Sequence, residues 1–157
     1  MYFVVGLALV PALWTSMSAA DVPAATPSAP FAVAGVAYAE ASDFLQRLKR
    51  AVRDSDANAV WHLTQFPLTI NGKPGPKNAL ELARQFTEIY TERVRAAVLG
   101  QTVDGLFANW PGLIIGHGEV WFSPVYDSDS ARGSCKNRRI LVIRVNNSVN
   151  NSVNGAF

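Results

Sequence analysis

Two histidines and one acid are the first residues to weigh for chemistry. His62 and His117 are the chain's only imidazoles, and Glu119 follows His117 by two positions. A general acid or base needs a dry pocket and a partner that sets its pKa. His117 lies between Gly116 and Gly118, which predicts a surface turn. His62 follows Trp61 on a short predicted helix, where a structural role outweighs a pocket role. Glu119 is the more informative group. On a strand, positions 119, 121 and 123 share a face. If Trp121 turns inward, Glu119 does too, and a carboxylate beside an indole in a half-dry pocket has a raised pKa suited to proton transfer. The opposite register puts Val120 and Phe122 inside and Glu119 in water, and it fits the apolar pattern better. Glu119 and His62 are therefore the catalytic candidates. Tyr90, Asn109, Trp110 and Trp121 are the candidates to line a pocket, although aromatic residues at such spacings more often fill a core.

Other chemistries find little footing. Asp127-Ser128-Asp129 hints at a calcium loop, but Ala131, Arg132 and Arg138 stand where that loop needs an oxygen ligand, glycine and glutamate. Cys135 is the single cysteine, so it forms no disulfide within the chain and no zinc site. It is buried, free or paired across a dimer. There is no Gly-x-Ser-x-Gly elbow, phosphate loop or dinucleotide fingerprint. No metal or cofactor is expected.

The elements that would position these residues fall into two groups. Ser42 can cap a helix to about Arg53, with Phe44, Leu45, Leu48 and Val52 as its apolar stripe. Arg47, Lys49, Arg50 and Arg53 wrap the opposite, solvated side. Ser55 or Asp56 caps a short helix carrying Val60, Trp61 and Leu63. Phe66-Pro67-Leu68-Thr69-Ile70 reads as extended, and Asn71-Gly72 as a turn. Asn78 with Glu81 opens a helix whose apolar positions recur over five turns from Ala79 to Ala97, stopping at Gly100. After Gly100 the period changes. Residues 106–110, 113–115, 119–125 and 140–145 read as strands of an antiparallel meander. Helices first and sheet afterwards predict an α+β fold, N-terminal helices packed on a curved antiparallel sheet.

The flanks carry other information. Met1 to Trp14 is almost wholly apolar and small residues follow to Ala20, the pattern of a cleaved signal peptide at 1–20. No Lys or Arg follows Met1 there. A membrane anchor is the alternative, but the run is shorter than the ~20 residues a span needs and contains Pro11. Residues 21–41 read as an Ala/Pro-rich linker, 42–146 as the folded domain and 147–157 as a low-complexity polar tail. The expected location is periplasmic or secreted, with no membrane contact after cleavage. A formal charge of +2 is too small to imply a nucleic-acid partner.

The stretch from Phe66 to Gly72, and the stretch from Leu106-Phe107-Ala108-Asn109-Trp110-Pro111-Gly112 through Gly116 to Phe122, resemble exported bacterial members of the nuclear transport factor 2-like (cystatin-like) superfamily. The resemblance covers roughly residues 42–146. It implies a cone-like roll, a bent sheet wrapped around a long helix with a pocket at the open end, and homodimerisation through the outer sheet face is common in that superfamily. It implies either binding or catalysis, since fold does not fix function. The leading expectation is an exported, non-catalytic binding module that holds a small apolar ligand in the cone or a protein partner on the sheet face. The alternative is a small acid–base isomerase, dehydratase or hydrolase using the same cone, with Tyr90 or Asn109 polarising a carbonyl.

Overall fold

The computed structural model describes residues 29–126 and 138–148. The expected leader, the Asp127–Asp129 loop, Cys135 and the last nine residues lie outside them.

The order of elements is a 3-10 turn at Ala29–Ala34, α1 (Tyr38–Arg53), α2 (Ala57–His62), β1 (Thr64–Ile70), β2 (Lys73–Pro74), α3 (Ala79–Arg84), α4 (Phe86–Ile89), α5 (Glu92–Gly100), β3 (Phe107–Asn109), β4 (Gly112–Ile115), β5 (Val120–Tyr126) and β6 (Arg138–Val145). The strands make one open six-stranded sheet in the order β2-β1-β6-β5-β4-β3. From β3 to β6 it is the expected antiparallel meander. The sheet as a whole is mixed, because β1 runs parallel to β6. The fold is α+β, with helices on one face of a curved sheet. No described helix is long and apolar enough to cross a membrane.

The first helix starts a turn before Ser42. Glu40 accepts the Ala37 backbone N–H at 2.9 Å and pairs with Arg138 on β6. Phe31 and Val36 are fully buried, and the Phe31 ring stacks on Tyr38 at 5.8 Å. Packing therefore begins inside the segment read as a linker, because one phenylalanine and one valine suffice to anchor it. At the other end Asn147 is tied down, not frayed. Its backbone N–H donates to the Asn71 side chain at 3.0 Å and its amide to the Glu88 carbonyl at 2.7 Å.

The long helix expected from Ala79 to Ala97 is three short ones. Gln85 and Tyr90 both leave helical geometry. Tyr90 is buried with its ring stacked on Phe86 at 5.1 Å. Thr91 then caps a new helix, its hydroxyl accepting the Val94 N–H at 3.5 Å with Glu92 in the first turn. The apolar period survives the breaks because each short helix still faces the core with Leu82, Phe86, Ile89, Val94 and Val98.

That core is filled. Phe44 of α1 stacks on Phe122 of β5 at 4.6 Å, and Leu48, Val52, Leu68, Leu113, Val120 and Val142 are fully buried around them. A dense interior of this kind leaves little room for a guest.

Candidate functional site

The candidates from sequence do not converge. Glu119 is 3% exposed, so it is not in water, but neither is it poised as an acid. Val120 and Phe122 do face the core, as the favoured register requires. Glu119 stands just ahead of β5, where its carboxylate turns into the Gly116–Gly118 turn. One oxygen accepts the His117 N–H at 2.6 Å, and the other accepts Arg93 Nη2 at 2.9 Å and Nε at 3.2 Å. Burial alone would raise its pKa; the Arg93 guanidinium and the backbone N–H donors outweigh that and hold it below the ordinary carboxylate value. The shift runs opposite to the one proton-transfer work would need. Glu119 is a clamp that joins α5 to the turn.

Tyr90 is buried in the core, and its hydroxyl finds no hydrogen bond of good geometry among the described residues. Burial raises its pKa, and the nearby Thr64 hydroxyl only partly counters this, so the phenol stays protonated. Asn109 closes the β3–β4 hairpin opposite Gly112, its side-chain oxygen buried and unpartnered. Trp110, at the tip of that hairpin, is 86% exposed. Trp121 lies on the outer sheet face, its indole N–H donating to the Gly118 carbonyl at 3.2 Å. His117 is exposed on its turn.

His62 borders open space of useful size. Asp56 caps α2, accepting the Ala59 N–H at 2.9 Å, and the helix ends at His62. The Trp61 and His62 rings pack at a tilt of 54°, centroids 4.0 Å apart. With Phe66, Tyr126, Arg139 and Leu141 they border a cavity of about 450 Å³. A second cavity of about 550 Å³ runs on from it between Thr69, Ser123, Ile143 and Arg144. The two share Gln65, Val125 and Tyr126, so they form one trough along β1, β6 and β5. Each volume falls in the range of about 300–1,000 Å³ typical of ligand sites. Glu119 borders none of the cavities that His62 borders.

The trough is built by strand register. Val125 pairs with Arg139, Ser123 with Leu141 and Trp121 with Arg144, all away from the helices. Pairing shifts between Trp121 and Phe122, leaving Ile143 as the extra residue of a bulge. The bulge is why Leu141 and Arg144, three positions apart, share the outer face. Leu141 and Ile114 are buried, at 4% and 8% exposure, yet neither belongs to the helix-facing core cluster.

No protein-family model, curated protein or solved structure matches this chain. The site must be read from its own chemistry.

Two signals for the trough are present in the sequence. Ile140-Leu141-Val142-Ile143 is an unbroken apolar run. A strand with one wet face alternates apolar and polar residues, whereas one covered on both faces does not. A second signal is charge. The six strands hold Lys73, Arg138, Arg139 and Arg144 and no acid at all.

Proposed function

We propose that this chain is an exported binding module of nuclear transport factor 2-like type that holds its partner on the outer face of its sheet. One observation carries the reading. The interior is packed ring against ring at Phe44 and Phe122, while the trough on the far side of the sheet offers open volume lined by polar side chains and by Val125, Leu141 and Ile143. A ligand inside the cone would have to displace that packing. The order of elements, two helices, a hairpin, further helices and then four antiparallel strands, supports the superfamily proposal. The apolar start of the chain supports export.

The acid–base enzyme reading has less support. Its acid is committed to Arg93, and its imidazole borders a different part of the surface. A fragment screen tests the choice. Hits should weaken on Val125→Arg, which obstructs the trough, and persist on Leu48→Ala, which opens the interior. Hits that strengthen on Leu48→Ala and ignore Val125→Arg would place the seat inside.

A further inference from the structure

The outer face offers more than apolar surface. Arg144 projects from it with its guanidinium 5.3 Å from the centre of the Trp121 ring. An arginine parked on an indole is held in place yet keeps its N–H fork for a partner. No carboxylate among the described residues pairs with Arg144. Arg138, by contrast, is answered on the helix side by Glu40. With no acid on any strand, the face presents positive charge over an aliphatic floor of Val125, Leu141 and Ile143.

From this we propose that the trough takes an extended, acidic peptide segment of another protein, with a carboxylate on Arg144 and apolar side chains on the floor. The proposal rests on the outer-face reading above and deepens it. The trough follows β6 from Arg139 to Arg144, which at strand rise is about 16 Å, or about five extended residues. Gln65, Thr69 and Ser123 along it supply side-chain hydrogen-bond groups for a peptide backbone. A second copy of this chain fits less well, because among the described residues the strands of that face carry no acid to meet Arg144. An acidic sugar polymer also fits less well. Sugar rings stack on open aromatic faces, and the Trp121 ring already has the guanidinium over it.

The test uses the full chain and a capped peptide, Glu-Thr-Leu-Thr-Glu, whose acids and leucine share one face. Its Gln-Thr-Leu-Thr-Gln counterpart and an oligogalacturonate are the comparison probes. Amide shifts are followed by NMR at low and high salt, and the oligomeric state by sedimentation. The acidic peptide should give saturable shifts centred on Ser123, Val125 and Ile143. Its affinity should fall about tenfold with the glutamine peptide, with Arg144→Gln and on raising salt. Arg144 is exposed, so this variant keeps the fold, checked by its dispersed spectrum. Equal binding of the glutamine peptide would overturn the charge reading and leave the seat standing. No peptide shifts, or stronger shifts with the sugar, would overturn the peptide. Self-association through this face would overturn the proposal, and shifts on Phe44 and Leu48 would overturn the outer-face reading beneath it.

Discussion

Glu119 shows how a residue type misleads without its neighbours. A lone acid beside a tryptophan invites a catalytic reading, yet the carboxylate is bound by Arg93 and by the His117 N–H. Glu119→Gln should destabilise the fold by about 1–2 kcal/mol in denaturant titration. The figure is modest because Arg93 is partly exposed and regains water. The pH dependence follows from the sign of the shift. The folded pKa lies below the ordinary 4.5, so the carboxylate's contribution is complete above that value and is lost as pH falls through the lower folded value. Stability of the parent should therefore drop from pH 4.5 downward, and the Glu119→Gln protein should show a shallower slope there. Equal slopes would mean the ion pair contributes nothing. Sequence favoured the correct register for Val120 and Phe122 but could not place Glu119, because its partner Arg93 is 26 positions away on a helix.

Among the elements, the turns were more legible than the long helix. The turn expected at Asn71-Gly72 is a two-residue hairpin loop, both residues at positive φ, joining Ile70 to Lys73. The apolar period from Ala79 to Ala97 marked the buried face but could not reveal the breaks. The cap at Thr91-Glu92 was the available signal. Glycines offer a sharp check on these elements. Gly112 has φ +146, and a Cβ there would lie 2.4 Å from the Phe122 carbonyl oxygen. Gly100 ends α5 with nothing within 4 Å of such a Cβ. Gly112→Ala should lower the melting temperature markedly, since neither its conformation nor the adjacent backbone can yield. Gly100→Ala should be neutral or stabilising by up to about 1 kcal/mol. The reverse order in a melting experiment would contradict the β4–β5 register.

At the scale of the molecule, the α+β class was legible because all five helices precede the four-stranded meander, with only β1 and β2 set among them. The parallel β1–β6 pairing was not, since those segments are separated by most of the domain and no local pattern encodes it. Nor was the trough on the outer side of the sheet, which depends on the β5–β6 bulge and on how fully the helices fill the other side. Phe122→Ala, opposite Phe44 in that filled side, should cost about 3–5 kcal/mol by chemical denaturation. Val125→Ala on the outer face should cost under about 1 kcal/mol, for its side chain lies outside the buried core cluster. The most direct measurement is an amide-shift map of the full chain against a fragment library. Responses gathered on Trp121, Ser123, Val125 and Ile143 are expected if the outer face is the seat. Responses gathered on Phe44, Leu48 and Phe122 would contradict it.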